Sequence, residues 1–479
     1  MNLREFLDNM GLNDNIGGSN SYDSPPQTVI RKEQDFLLKS MILTAYNGKS
    51  YDLTNHRAIF EYKEDLFSNA ISGSLELIDA IDYQQFMPLI GEEKLKVILT
   101  RQDESGKARE GGLLPDLEMN FRIYKVSGRQ LQNEKVQTYT MHLISEELIK
   151  NLKQKVYRCW DDTFYSDMVD EIYGEFISIG KPIVIEPTLY EQDFCCSNMN
   201  PYEFFHTIAA RSISAEGNGE AYIFYEDREA FYYVTLGKLL IGGTKEKYGH
   251  APRKVWIPNE GKFRPIDLPI DIEVKNLEHY HWNGQHDILR NLEGGMYAQH
   301  LTTVDPVRQV FEFIPFDLTA EFESFKHVDK ERFFTDALDA LAGPFAHTKL
   351  MHTNKDHDIV PWIADREPGI KPFKLEEYVM RRTSHMHQIN NFKMGMTVTG
   401  DPRRKVGDII EVTMPQVAGD AHDRRPQELD RYFQGRYLVT SIKHRLTQTG
   451  YSMDLEIIKD TFFKPIAHTD VVDRYKDIY

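Results

Sequence analysis

Two stretches near opposite ends of the chain alternate apolar and polar residues, and nothing else in the sequence restricts the fold as strongly. In the first, from about residue 36 to 150, Leu95, Val97 and Leu99, and then Leu117, Met119, Phe121 and Ile123, are apolar with mostly polar residues between them. In the last, Met394, Met396 and Val398 alternate, as do Ile410, Val412 and Met414, and Tyr451, Met453, Leu455 and Ile457. A period of two gathers the apolar groups on one face of a pleated strand, so both blocks predict half-buried strands. Turn chemistry punctuates the first block at Asn47-Gly48, Ser72-Gly73, Asp103 to Gly112 and Ser127-Gly128. In the last block Gly400-Asp401 and Gly407-Asp408 do the same, and Pro415 ends a strand. Glycine permits tight turns and aspartate bonds nearby backbone, so Gly400, Asp401, Gly407 and Asp408 are assigned as structural turn residues. The first block is expected to form a small antiparallel barrel or sandwich, and the last a second small barrel.

Between the blocks the pattern changes. From 160 to 260 helix and strand alternate, which makes this region α+β. Phe164, Met168, Ile172 and Phe176 repeat every four residues behind Asp161-Asp162-Thr163, a helix with acids and a cap at its positive end. Asn200, Pro201 and Glu203 occupy N-cap, N1 and N3 of a second helix, with Phe205, Ile208 and Ala209 on one face. Ala221 to Tyr225 and Phe231 to Leu236 read as strands joined by the turn Glu226-Asp227-Arg228-Glu229. From 244 to 375, Pro252, Pro258, Pro265, Pro269, Pro306, Pro315, Pro344, Pro361, Pro368 and Pro372 interrupt any period, predicting a loop-rich insertion. Within it, Asp287 to Leu292 reads as a helix closed by Gly294-Gly295, and Arg308 to Phe313 as a strand. A helix over Lys374 to Gln388 precedes the last block.

The expected division is a flexible arm over 1–35, a first barrel domain over 36–155, a central α+β domain over 156–260, an irregular insertion over 261–375, a second barrel domain over 376–465 and a tail over 466–479. In the arm, Leu3, Phe6, Leu7 and Met10 have the spacing of a short amphipathic helix, followed by a Gly/Asn/Ser-rich run over 11–27. A length of 479 residues suits about three domains.

The balance of 57 basic against 74 acidic residues gives a net charge of −17, with the basic residues scattered, so a phosphate-neutralising surface and sequence-specific DNA binding are disfavoured. The only cysteines are Cys159, Cys195 and Cys196. The last two are adjacent and poorly placed to bridge each other, so no disulfide framework is expected and a reducing site of synthesis fits. No apolar run approaches the roughly 18 to 20 residues of a membrane span, and the N-terminus lacks a secretory signal pattern, so membrane insertion is not expected.

Reaction-bearing motifs are missing. The chain has no Gly-x-Gly-x-x-Gly behind a strand, no complete Walker-type Gly-x-x-x-x-Gly-Lys-Ser/Thr, no Gly-x-Ser-x-Gly, no His-Glu-x-x-His and no Cys-x-x-Cys. His279, His281, His286 and His300, and His385 with His387, cluster without the cysteines or acidic trio of a metal site and are read as solvated loop histidines. Asp161-Asp162, Glu146-Glu147 and Glu376-Glu377 are read as helix-end charges rather than a glycosidase pair. Cys195-Cys196 has no evident histidine partner for nucleophilic work. No catalytic residue, metal ligand or cofactor site is therefore assigned.

The last block, with its helix Glu376 to Gln388, strand Phe392 to Gly400, turn Asp401-Pro402 and strand Lys405 to Pro415, followed by Tyr432 to His444 and Tyr451 to Asp460, resembles the closing barrel of the baseplate hub proteins of contractile-tailed (myovirus) bacteriophages, the tail-tube-like hub family. Asn198 to Arg211 is similar to the family's central helix, and Asp287 to Asp305 to a later helix and strand. The likeness covers about residues 36 to 460, and its motifs are packing patterns rather than catalytic signatures.

What the resemblance implies is an α+β protein with two tail-tube-like antiparallel β-barrel domains, a central α+β region and a loop-rich insertion. It further implies a homotrimeric ring whose six barrels match the sixfold tail tube protein on one face while the threefold seats a central spike protein on the other. The ring forms a channel for tape-measure protein and DNA, binds other baseplate proteins, and belongs to the virion tail after assembly in the host cytoplasm. If part of the −17 charges per copy lines the channel, its wall repels DNA in transit; a solvated acidic exterior is the alternative. The rivals are a hub or spike component of a related contractile injection or secretion system, and a tail-associated peptidoglycan hydrolase. The absence of a repetitive needle-like strand pattern at the end of the chain favours the hub.

Overall fold

The computed structural model describes residues 38–86, 89–99, 117–249, 254–259, 262–267, 275–305, 310–334, 348–352, 378–414, 430, 432–447 and 450–464. The N-terminal arm with its helix, the turn run 103–112, Glu376-Glu377 and the start of their helix, Pro415 and the tail 466–479 lie outside the described residues, as do Pro252, Pro269, Pro306, Pro344, Pro361, Pro368 and Pro372.

The first block supplies β1 (Leu38–Thr44), β2 (Ser50–Asp52), β3 (Arg57–Asp65), β4 (Ser72–Asp79), β5 (Lys94–Leu99), β6 (Leu117–Asn133), β7 (Val136–Ser145) and helix α1 (Glu146–Leu152). The central region follows with β8 (Val156–Phe164), α2 (Tyr165–Ile172), β9 (Ile183–Ile185), β10 (Glu191–Met199), α3 (Pro201–Ala209), β11 (Tyr222–Glu226), β12 (Phe231–Thr235) and α4 (Leu236–Leu240). Next come β13 (Thr244–Gly249), β14 (Lys254–Asn259), β15 (Lys262–Asp267), β16 (Leu277–Gln285), α5 (Ile288–Glu293), β17 (Ala298–Asp305), β18 (Val310–Asp317) and β19 (Thr348–His352). The chain closes with α6 (Val379–Gln388), β20 (Phe392–Thr399), β21 (Ile409–Thr413), β22 (Gly435–Thr447) and β23 (Tyr451–Lys459).

The fold is mostly antiparallel sheet with few helices. Among the described residues, thirteen strands share one sheet, in the order β16-β20-β23-β22-β3-β4-β7-β6-β5-β1-β2, with β21 on β22 and β13 on β21. The two alternating blocks are thus continuous in their hydrogen bonding. The strand that joins them is β22, which changes partner along its length. Gly435 to Leu438 pair with β21, whereas Ser441 to Thr447 pair with β3 from Asp65 back to Ile59. A register shift between Val439 and Ser441 on the β23 side accompanies the change, as an extra residue in a ladder turns a strand. Two strands from the proline-rich middle join the same sheet: β16 pairs with β20, and β13 runs parallel to β21.

The alternation does what the sequence requires of it. β7 buries every second residue from Gln137 to Ser145. Met41, Leu75, Leu95 and Met141 from the first block meet Met394, Ile442 and Leu455 from the last, and Ile223, Tyr225 and Leu236 from the centre, in one apolar cluster. Each such buried aliphatic side chain contributes about 1.5–3 kcal/mol.

A second core is aromatic. β11 and β12 form an antiparallel hairpin flanked by the parallel strand β9, and α3 lays Phe204 and Phe205 against Phe224 and Phe231. α3 starts where its sequence requires, with Pro201 first and the Glu203 carboxylate accepting from Asn200 N at 2.8 Å. α2 also forms, but Asp161-Asp162-Thr163 do not cap it. Pairing of Thr163 and Phe164 with Gln192 and Glu191 keeps them in β8, and the helix follows Phe164 with no side-chain cap. The β8–β10 ladder also corrects the cysteine expectation: its register sets Cys195 opposite Cys159, and a disulfide joins them across a sequence separation of 36.

In the insertion, β18-β17-β19 form a small sheet. α5 is capped by Asp287, whose side chain accepts from Arg290 N at 3.1 Å, and ends at Gly294 as the glycine pair suggests. The nearby strand starts at Val310 and runs to Asp317, beyond the expected 308–313. Among the described residues no helix is long and apolar enough to cross a membrane.

Candidate functional site: a charged junction beneath the shared strand

The β11–β12 hairpin is apolar on both faces, from Tyr222 to Tyr225 and again from Phe231 to Val234, yet its turn carries four consecutive charges. The turn is local chemistry: Asp227 Oδ1 accepts from Glu229 N at 2.6 Å and Ala230 N at 2.7 Å. Its position is not that of a solvated turn, because Glu226, Asp227 and Arg228 are buried. The tip is pushed against the place where β22 passes from one block to the other.

Each charge of the turn finds a partner. Arg228 Nη1 lies 3.2 Å from Glu64 Oε1 of β3, with both side chains fully buried. Glu226 pairs with Lys181 and accepts from Ile71 N at 3.0 Å, in the first block. Lys405, in the last block, reaches Asp227 Oδ2 at 3.3 Å, Glu229 Oε2 at 3.5 Å and Tyr232 Oη at 3.1 Å. Behind Arg228, His444 of β22 stacks on Tyr62 of β3, with ring centroids 4.3 Å apart, and its Nδ1 is 2.7 Å from Tyr451 Oη. Arg228 Nη1 also lies 3.5 Å from His444 Nε2, a contact that suits a neutral ring whose proton sits on Nδ1 and is donated to Tyr451. Burial, with Arg228 adding to it, holds His444 well below an ordinary histidine, which keeps that ring neutral.

The same balance acts on the ion pair. Burial pushes Glu64 upward and Arg228 pulls it down, and burial is the larger effect. Arg228 stays charged, since burial works against its charge but Glu64 and its neighbours more than offset that. A pair held this way fixes geometry more than it adds stability, because desolvation consumes most of the Coulomb gain.

No family model matches the chain. A probable baseplate hub protein, gp334, of Vibrio phage KVP40 is 21% identical over 360 residues, covering 72% of this chain and 77% of the relative. The chain is similar to a phage baseplate hub protein. Among solved structures, the 43 kDa tail protein of prophage MuSo2 from Shewanella oneidensis aligns over 88% of this chain and 98% of its own, at a TM-score of 0.50 and 10% identity, which is a likeness of fold.

The turn residues singled out from the sequence lie around this junction. Gly400 backs directly onto the Tyr451 ring, where a Cβ would stand 2.1 Å from Cγ. Asp401 accepts from Arg403 N at 2.9 Å and contacts Arg404 Nε at 3.3 Å; these arginines hold it low despite its burial. Gly407 has φ +86°, and a Cβ there would lie 3.0 Å from Tyr225 Oη, on the hairpin itself. Asp408 Oδ2 accepts from Lys405 N at 3.2 Å and lies 3.7 Å from Arg404 Nη1. Burial raises Asp408, with Arg404 opposing.

The other candidates stay apart. His279 and His281 are exposed on β16, His300 stacks on Phe313, and His385 is fully buried. Among the described residues no three His, Cys, Asp or Glu side chains are placed to hold a metal ion. Glu146 pairs with Lys94 and Arg122, and Glu147 is buried separately, so the two do not face each other across a cleft as an acid and base pair. That Arg228, Glu64, Lys181, Lys405 and His444 come together was not read from the sequence. The available signal was a charged turn between two strands apolar on both faces, since such strands imply cover on every side, tip included.

Proposed function

We propose that this chain is the structural hub of a contractile phage-tail baseplate, resident in the virion tail and assembled in the host cytoplasm. The observation that carries this is the match to a baseplate hub protein over most of both chains. The fold supports it, because one subunit contains two antiparallel blocks made contiguous by β22. On this reading the blocks are two tail-tube-like barrel domains flanking the central α+β region and the insertion. Three subunits form a homotrimeric ring, six modules facing the tail tube protein and the threefold seating the central spike protein. Tape-measure protein and DNA pass through the ring, and other baseplate proteins bind its rim. Gly400, Asp401, Gly407 and Asp408 serve as structural turns of the C-terminal module, and the buried junction fixes the angle between modules. The role is mechanical, with no catalytic step.

Light scattering of the purified chain, alone and with the candidate spike, tests the assembly. The expected result is a mass of three copies in at least one condition, with six tube-like modules around a threefold axis in images. A chain that stays monomeric with and without spike overturns the reading. Robust clearing of cell-wall substrate, lost on replacing one carboxylate, would overturn the mechanical role.

A further inference from the structure

β8 and β10 make a two-stranded ribbon whose outer edges have no strand partner among the described residues. One face is part of the aromatic core: Val156, Trp160 and Cys196 are buried, and Trp160 stacks on Phe204 with ring centroids 5.3 Å apart. The other face is open to solvent and carries Tyr157, Cys159 and Cys195. Strand alternation thus sends two successive cysteines to opposite sides. Cys196 points inward, its thiol 3.8 Å from Val156 O, where burial raises it and keeps it unreactive. Cys195 points outward, directly opposite Cys159, and the two are bonded.

A ribbon of two strands is marginal alone, so a covalent tie at its middle restrains the cover of the aromatic core. Because both sulfurs lie on the solvent face, small thiols and disulfides can reach them, which is the circumstance in which protein disulfides are labile. We propose that Cys159 and Cys195 form a reversible redox staple. The thiols are open while a reducing medium surrounds the chain and close by exchange with a small-molecule disulfide such as oxidised glutathione. One cysteine thiolate attacks a glutathione sulfur, forming a mixed disulfide and releasing a first glutathione thiolate. The second cysteine thiolate then attacks the cysteine sulfur of that intermediate, releasing a second. The protein loses two protons and two electrons, and one oxidised glutathione becomes two reduced ones. That the staple closes as a particle leaves the cell rests on the baseplate reading; the exchange chemistry does not.

Thiol counting on the full-length chain, isolated under dithiothreitol, tests it. Native alkylation with iodoacetamide is expected to label Cys159 and Cys195 and to spare Cys196 until denaturation. After incubation with oxidised glutathione the intact mass is expected to fall by two hydrogens, with both sites protected, and dithiothreitol under native conditions is expected to restore them. Hydrogen exchange of β8 and β10 amides should slow roughly tenfold on oxidation, and Cys159→Ser with Cys195→Ser should abolish that response. Thiols that stay free or carry separate glutathiones in the oxidant, a bond that resists native dithiothreitol, or unchanged ribbon exchange each overturn the proposal. A chain that oxidises and reduces as described yet never trimerises sinks the baseplate reading and leaves the staple standing.

Discussion

The Arg228 guanidinium on the tip of the β11–β12 hairpin meets the Glu64 carboxylate of β3 at 3.2 Å, with both side chains fully out of solvent. The contact ties the central module to the strand that β22 uses to reach the first block. Because Arg228 and Glu226 meet Glu64 and Ile71 N of the first block while Asp227 holds Lys405 of the last, the hairpin tip is keyed to both blocks at once.

Removing one partner of a buried pair leaves the other charge unpaired. Arg228→Ala is therefore expected to cost about 3–5 kcal/mol in urea unfolding. Arg228→Met combined with Glu64→Gln removes both charges and should cost less than the two single changes together, by at least about 1 kcal/mol. Strict additivity would show that the two side chains do not depend on each other.

The glycines beside the junction differ in kind. At Gly400 an added Cβ would meet three ring carbons of Tyr451 at 2.1 to 2.4 Å, and that ring is hydrogen-bonded to His444. At Gly407 the obstruction is a single hydroxyl at 3.0 Å, with the added strain of φ +86°. Gly400→Ala is expected to lose about 2–4 kcal/mol, and Gly407→Ala about 1–2 kcal/mol. Calorimetry on both variants decides the order; equal losses would mean the Tyr451 ring moves aside freely.

Burial lifts Glu64 above its ordinary 4.5, with Arg228 opposing. The folded state therefore holds a proton that the unfolded chain releases, in the window from 4.5 up to the raised value. This group's contribution to stability is present below that window and declines as pH rises through it. Glu64→Gln should flatten the fall of stability with pH across that range, measured by urea titration at successive pH values. An unchanged slope would mean that Glu64 does not titrate there.

The fold was legible where its causes are local. Alternation placed strands in both blocks, the Asn200-Pro201-Glu203 signal placed α3, and Asp287 with Gly294 bounded α5. What local pattern does not contain is partnership. Glu64 and Arg228 lie 164 residues apart, and Lys405 and Glu229 lie 176 apart, so nothing near the charged turn in the sequence points to its partners. Cys159 was invisible as a partner for Cys195 because only the β8–β10 register sets them opposite. The same blindness explains Asp161 to Thr163: acids before an apolar periodic run look like a cap unless pairing of Thr163 and Phe164 with β10 carries the strand up to the first residue of the helix. Nor does alternation reveal that β22 serves two sheet blocks, since each half of that strand looks ordinary by itself.

His385 of α6 presents the opposite electrostatic case to Glu64. It is buried, neither ring nitrogen has a hydrogen-bond partner among the described residues, and the ring lies 5.3 Å from that of Phe325. Burial pushes it down to about 4; Asp460 opposes, while His327, Arg381 and Arg382 reinforce the shift. Between about 4 and the unfolded value of 6.5 the unfolded chain binds a proton that the folded chain does not. The stabilisation is full above that window and is lost as pH falls through it, so this histidine makes the fold acid-sensitive. His385→Leu removes the titration and two unsatisfied polar atoms from a buried site. It is expected to be neutral or stabilising by about 1 kcal/mol at pH 7, and to retain more of its stability than the parent at pH 5. A variant that loses stability at both pH values would show that the imidazole has a polar role in this core.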